Sequence, residues 1–181
     1  MTKRITISTL DAMKASGDKF VMITAYDATF ARLASEAGAE TILVGDSLGM
    51  VLQGHETTIP VSLDAMAYHT ECVARARPHS LIVADLPFMS FSNADDTLHA
   101  STRLMQAGAQ MVKLEGGTWL SDSIHRLVER GVPVCAHLGL TPQSVNVFGG
   151  YRVQGRTPKE AKSILADAVE IQDAGASLLV L

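Results

Sequence analysis

Apolar and polar positions along the chain follow two patterns, a helical period and short runs that are apolar throughout. In four segments a helical pattern ends at a glycine and a strand-sized apolar run follows almost at once. The four segments are SEAGAETILVGDS (35–47), MQAGAQMVKLEGG (105–117), VERGVPVCAHLG (128–139) and IQDAGASLLVL (171–181). Because runs that are apolar on both faces are typical of parallel strands covered by helices, the repetition predicts a parallel sheet.

The same pattern sets the order of the elements. Strands are predicted near 20–26, 41–46, 81–86, 110–115, 133–138 and 177–181. Helices are predicted near 8–16, 27–38, 62–76, 93–108, 119–130 and 158–174, with helix N-caps at Asp27, Ser62 and Thr157. Residues 1–181 are therefore expected to form one α/β domain with a helix, five β-α units and a sixth strand.

Alternating strands and helices leave two architectures, an open doubly wound sheet and a (β/α)8 barrel. Polar side chains of the kinds used in catalysis lie at the ends of successive predicted strands: Asp27, Asp46, Asp85, Lys113, Glu115 and His137. In a barrel these ends converge on one mouth, whereas in an open sheet they spread along an edge. No G-x-G-x-x-G motif follows the first strand. Both observations favour the (β/α)8 TIM barrel.

Composition and charge exclude several classes of protein. The chain is 47% hydrophobic and 19% charged, which is typical of a densely packed enzyme. Its net charge is −4 and its basic residues are scattered, so a nucleic-acid partner is not expected. No apolar run approaches the roughly 20 residues of a membrane helix. Two widely separated cysteines, Cys72 and Cys135, predict neither a disulfide framework nor a zinc site, and a cytoplasmic protein is expected.

Three strand-end carboxylates suggest metal chemistry. Asp46, Asp85 and Glu115 are the oxygen ligands that Mg²⁺ prefers, and a chelating 2-oxo acid would complete its coordination. Such chelation would acidify the C–H bond beside the carbonyl. Lys113 points to the same side of its strand as Glu115 and would either bind the substrate carboxylate or neutralise the developing enolate, while Ser47 would donate a hydrogen bond.

Each of these residues also has a simpler interpretation. A single strand-end aspartate is more often a turn former or a helix cap, which is the role we assign to Asp27. His137 is either a satisfied buried histidine or a substrate contact. Two long loops, 49–60 and 141–157, are expected to be functional, and the second has the composition of a mobile lid.

Several long segments resemble one known family. They are ITAYDATFA (23–31), LVGDSLGMVLQGHETTIPV (43–61), AYHT (67–70), VADLPFMS (83–90), AGAQMVKLEGG (107–117) and VCAHLGLTPQSVNVFGGYRVQGR (134–156). Together they closely resemble the ketopantoate hydroxymethyltransferases. The resemblance implies a TIM barrel of the phosphoenolpyruvate/pyruvate type that transfers a hydroxymethyl group from 5,10-methylenetetrahydrofolate to 3-methyl-2-oxobutanoate. It also implies Mg²⁺ as cofactor and a large homo-oligomer, a decamer.

The resemblance assigns roles to individual residues. Asp46 and Asp85 would bind magnesium and place the substrate, Ser47 and Lys113 would bind the substrate, and Glu115 would belong to the metal site. The family's general base is a glutamate that follows the strand reading LLVL, so no catalytic base is expected within this sequence. We therefore expect a truncated barrel that is inactive without its remainder, since a missing base lowers a rate by about 10² to 10⁴.

Two other functions stay open. One is a magnesium-dependent carbon–carbon lyase or mutase of a related barrel acting on a 2-oxo acid. The other is an inactive chain with a structural or assembly role only.

Overall fold

Six parallel strands form one sheet in the computed structural model, which describes residues 4–181. The strands are β1 (Met22–Thr24), β2 (Thr41–Val44), β3 (Leu81–Asp85), β4 (Met111–Glu115), β5 (Val134–His137) and β6 (Leu178–Val180). Each strand pairs in parallel with the next one in the chain, so the spatial order equals the sequence order. An open doubly wound sheet reverses its order at a switch point, and this sheet does not. The predicted barrel-type architecture is confirmed; residues 1–3 of the predicted domain lie outside the described residues.

Eight α-helices connect and flank these strands in the described part of the chain. They are α1 (Ile7–Ser16), α2 (Ala28–Glu36), α3 (Leu48–Val51), α4 (Leu63–Arg75), α5 (Ala94–Gln106), α6 (Ser121–Glu129), α7 (Val145–Phe148) and α8 (Pro158–Asp173). The six predicted helices are confirmed to within three residues at each end. Helices α3 and α7 were not predicted, because four residues are too few to show a helical period.

The predicted helix starts and stops are also confirmed. Asp27 Oδ1 accepts hydrogen bonds from the backbone N–H groups of Thr29 and Phe30 at 2.7 and 2.9 Å. Ser62 and Thr157 cap α4 and α8 in the same way. The glycine of each repeated segment has a positive φ between 81° and 111°: Gly38, Gly108, Gly131 and Gly175. Glycine adopts this left-handed conformation without strain, which lets each helix turn directly into the next strand.

The two faces of the sheet bury different side chains. The outer face, including Ile42, Ile82 and Val112, packs against the helices in the larger apolar cluster. The inner face carries a smaller cluster that includes Val83 and Met111. Because side chains alternate along a strand, the inner face of β3 and β4 ends in charged residues at its carboxyl end.

The amino end of the inner face is covered by the start of the chain. The backbone N–H of Ile5 donates to His79 O at 2.8 Å, and Ile5 and Ile7 pack against the inner cluster. The polar residues of the inner face therefore lie at the opposite end of the sheet. Between residues 4 and 181, no helix combines the length and apolar character that crossing a membrane requires.

Candidate active site

A buried lysine lies among carboxylates at the carboxyl ends of β3 and β4. Asp85 is directly opposite Lys113 in the strand register, and Lys113 Nζ lies 2.6 Å from Asp85 Oδ1. The same nitrogen lies 3.7 Å from Glu115 Oε1, and all three side chains are no more than 4% exposed. Burial opposes the charge on Lys113, but Asp85 and Glu115 outweigh it and raise the pKa of the lysine. The ammonium group therefore stays protonated.

Asp46, which follows β2, joins this cluster through its backbone. Its N–H donates to Asp85 Oδ2 at 3.1 Å, so the two aspartates are adjacent. A Cβ at position 45 would lie 2.8 Å from Ser47 Oγ, so the glycine leaves room for the Ser47 hydroxyl beside the cluster. Burial and the neighbouring charge of Asp85 raise the pKa of Asp46 to about 7. Burial also raises the pKa of Asp85, and Lys113 offsets part of that effect.

Gln143 donates hydrogen bonds to two carboxylates of the cluster and was not predicted from the sequence. Its Nε2 donates to Asp46 Oδ2 and to Leu86 O, each at 2.9 Å. Its backbone N–H donates to Glu115 Oε2, also at 2.9 Å. The start of the 141–157 loop is therefore buried within the site, so the expected lid role is wrong for Gln143. The only sequence signal was the unusual length of that loop.

His137 makes its contact with Glu115. Its Nδ1 donates to Glu115 Oε1 at 2.9 Å, and the imidazole is 12% exposed. Although burial raises the pKa of Glu115, this hydrogen bond and the charge of Lys113 outweigh it, so the net pKa is lowered. The contact favours the interpretation of His137 as a satisfied buried histidine.

Ser47 and Tyr26 form a second pair beside the aspartates. Their hydroxyl oxygens are 2.9 Å apart, and His69 Nδ1 lies 2.8 Å from the backbone oxygen of Tyr26. Tyr26 was not predicted as a site residue, although it immediately precedes Asp27 at the end of β1. Asp27 itself caps α2, as expected, and takes no part in the cluster.

Of the three predicted metal ligands, only Asp46 keeps a carboxylate oxygen without a hydrogen bond from the described residues. Asp46 Oδ1 accepts no hydrogen bond from residues 4–181, whereas each oxygen of Asp85 and of Glu115 accepts one. Within the same residues, no three His, Cys, Asp or Glu side chains form a group that could hold a metal. Magnesium often takes only one or two carboxylates together with water and substrate oxygens, so Asp46 and Asp85 fit this ion. Direct bonds from all three carboxylates stay predictions.

The raised pKa of Asp46 predicts how stability depends on pH in the absence of metal. An acid whose pKa rises on folding, here from 3.8 to about 7, binds its proton more tightly in the folded state. Protonation of Asp46 therefore stabilises the folded state. This stabilisation is complete at pH values below the pKa of Asp46 in the unfolded chain, and it is lost as pH rises through about 7. Asp46→Asn removes this titration. The free energy of unfolding of the wild type minus that of Asp46→Asn should therefore fall between about pH 4 and pH 7 in urea titrations. A difference that does not change with pH would contradict the assignment.

The sequence of this chain matches one known protein family. The sequence profile of the ketopantoate hydroxymethyltransferases matches residues 4–181. A 3-methyl-2-oxobutanoate hydroxymethyltransferase of Burkholderia vietnamiensis is 60% identical over 177 residues, covering 98% of this chain and 65% of that protein. The same-named protein of Saccharophagus degradans is 54% identical over 181 residues, 100% of this chain and 67% of that protein. This chain thus spans about two thirds of the length of these curated relatives.

Solved structures of similar fold are more distant in sequence. A phosphonopyruvate hydrolase in complex with oxalate and Mg²⁺ superposes with a TM-score of 0.72 at 17% identity, covering 96% of this chain and 61% of the other. A 2,3-dimethylmalate lyase of the PEP mutase/isocitrate lyase superfamily superposes with a TM-score of 0.66 at 16% identity, covering 94% of this chain and 60% of the other. These similarities support the fold alone. The profile match and the identity to its curated members show that this chain belongs to the ketopantoate hydroxymethyltransferase family.

Proposed function

We propose that this chain carries the metal and oxo-acid site of an enzyme that converts 3-methyl-2-oxobutanoate to 2-dehydropantoate with 5,10-methylenetetrahydrofolate. Relatives with this activity in their names support the reaction. The observation that carries the proposal is Asp46, a buried carboxylate with one oxygen free, beside the Asp85–Lys113 ion pair. Because the chain spans about 65% of its first relatives, the activity of the whole protein belongs to the proposal.

Asp46 and Asp85 would hold the magnesium ion. The bound ion would act as a Lewis acid on a chelated 2-oxo acid. Lys113, which stays protonated, would attract the substrate carboxylate and stabilise the negative charge that develops when C3 loses its proton. Ser47 would donate a hydrogen bond to the substrate, with its hydroxyl oriented by Tyr26. We assign the role of proton acceptor to no residue of this chain.

The folate donor, the homo-oligomeric assembly and the cytoplasmic location also stay predictions. Dependence on folate separates the proposed reaction from the lyase or mutase alternative. In the whole enzyme whose site this chain is proposed to carry, formation of 2-dehydropantoate, followed by NMR, should require the oxo acid, methylenetetrahydrofolate and Mg²⁺ together. Carbon–carbon cleavage of a 2-oxo acid without folate would instead favour the lyase. A chain that binds neither Mg²⁺ nor the oxo acid would favour a purely structural role.

Gln143→Met should weaken magnesium binding by about 10-fold to 100-fold, the usual effect of losing a residue that orients a metal ligand. The substitution removes the side-chain donor to Asp46 but keeps the backbone N–H that donates to Glu115. Binding can be measured with Mn²⁺ by electron paramagnetic resonance, with magnesium as competitor. The matched control is Gln172→Met on the exposed side of α8. Equal affinities in the two variants would remove Gln143 from the metal site.

A further inference from the structure

A small aromatic cavity opens next to the carboxylate cluster. Its volume is about 120 Å³, and its walls include Phe88, Met89, Phe91 and Trp119 together with Glu115 and Gln143. Complete ligand pockets usually measure about 300 to 1,000 Å³, so this cavity suits one ring system and not a whole ligand. Because Glu115 and Gln143 belong both to the cavity and to the cluster, a ring bound here would lie beside the metal and oxo-acid site.

Trp119 is held in a defined position although its side chain is 62% exposed. Its ring stacks on Phe91 with centroids 6.1 Å apart and an angle of 15° between the planes. The indole also lies over Gly116, where a Cβ would come within 2.7 Å of it. The preceding residue, Thr118, is anchored to α8, because its N–H and hydroxyl both donate to Asp167 Oδ1 at 2.8 and 2.7 Å. An exposed aromatic ring is thus held by two contacts of its own and by the anchored residue that precedes it.

Other lining residues of the cavity belong to the loop after β3. Phe88 and Met89 are 40% and 62% exposed, and Met89 has a φ of 60°, a left-handed conformation that side chains larger than glycine rarely adopt. The Ser90 N–H and hydroxyl both donate to Pro87 O and close this turn. Backbone strain of this kind is concentrated at ligand sites, where the surrounding structure maintains it. The turn directs two apolar side chains toward solvent only three and four residues after Asp85.

We propose that this cavity binds the pterin ring of the folate donor by stacking against Phe88 and Trp119. The inference rests on the proposed function, which requires a donor carried on a large, flat heterocycle. Offset stacking on aromatic side chains is a favourable mode for such a ring. A pterin in the cavity would bring its one-carbon unit to the edge of the Asp46–Asp85 cluster, while the p-aminobenzoyl-glutamate part would extend outward past Met89.

Fluorescence offers a direct test, because Trp119 is the only tryptophan of the chain. Titration with 5-formyltetrahydrofolate should quench its emission, whereas p-aminobenzoylglutamate, which lacks the pterin, should leave it unchanged. Phe88→Leu, which keeps an apolar side chain but removes the ring, should weaken folate binding about tenfold. The matched control is Phe30→Leu on α2, where the phenylalanine is exposed and does not line the cavity, and its affinity should equal that of the wild type.

Two results would overturn the inference: absence of quenching by the folate, or equal folate affinity in Phe88→Leu and Phe30→Leu. Failure of the proposed function has a separate readout, which is binding of 3-methyl-2-oxobutanoate to the wild-type chain in the presence of Mg²⁺. Oxo-acid binding combined with equal folate affinities would reject the aromatic site alone. If the wild-type chain does not bind the oxo acid in the presence of Mg²⁺, the proposed function itself is rejected.

Discussion

Lys113→Met should lower the free energy of unfolding by about 3 to 5 kcal/mol, the usual cost of removing one partner from a buried ion pair. Lys113 is the cation that contacts both Asp85 and Glu115, at 2.6 and 3.7 Å. Methionine fills a similar volume, so the main loss is the charge and not the packing. Without the lysine, buried carboxylates would either remain ionised without a partner or take up protons, and both responses cost stability.

Urea unfolding of metal-free protein measures this effect. Lys162→Met on the exposed side of α8 is the matched control and should change stability by no more than about 0.5 kcal/mol. The double variant Lys113→Met/Asp85→Asn should recover much of the loss, because it removes the carboxylate left without a partner. If Lys113→Met were as stable as Lys162→Met, the ion pair would not contribute as described.

Asp46→Asn should reduce affinity for divalent metal by at least about 100-fold. Loss of a residue that only orients a ligand costs about 10-fold to 100-fold, and Asp46 is proposed to contact the ion itself. Its Oδ1 is free of hydrogen bonds from the described residues, while Oδ2 is held by Gln143. An asparagine keeps the shape and the contact with Gln143 but removes the charge that a hard cation requires.

Asp27→Asn is the control for this substitution. Asp27 is also an aspartate at the end of a strand, but it caps α2, and asparagine is an equally good cap. Binding of Mn²⁺ to the two variants, followed by electron paramagnetic resonance, should therefore differ sharply. Tight binding by Asp46→Asn would exclude Asp46 as a ligand.

The sequence predicted those parts of the fold that repeat. Strand-sized apolar runs behind glycines predicted four of the six strands, two further apolar runs predicted β1 and β3, and side-chain caps such as Asp27 predicted the helix starts. Period-2 alternation correctly placed Lys113 and Glu115 on the same face of β4. Helices α3 and α7 were missed because they are single turns within long loops.

Site residues were predictable only where they lie at strand ends. Asp46, Asp85 and Lys113 were identified in this way, and the structure brings them together. Gln143 was missed because it lies 97 positions from Asp46 in a loop with no periodic pattern. Trp119 was missed for a similar reason, since its stack with Phe91 joins two different loops. Contacts of this kind depend on loop conformation, which the hydrophobic pattern does not determine.

Asp46 and Asp85 are proposed to hold a magnesium ion to which a 2-oxo acid binds. Calorimetric titration of the chain with 3-methyl-2-oxobutanoate, with and without Mg²⁺, tests this proposal most directly. We expect the oxo acid to bind only when magnesium is present, and we expect no magnesium-dependent binding of 3-methylbutanoate, which lacks the chelating keto oxygen. Equal binding of the oxo acid with and without magnesium, or no binding in either case, would contradict it.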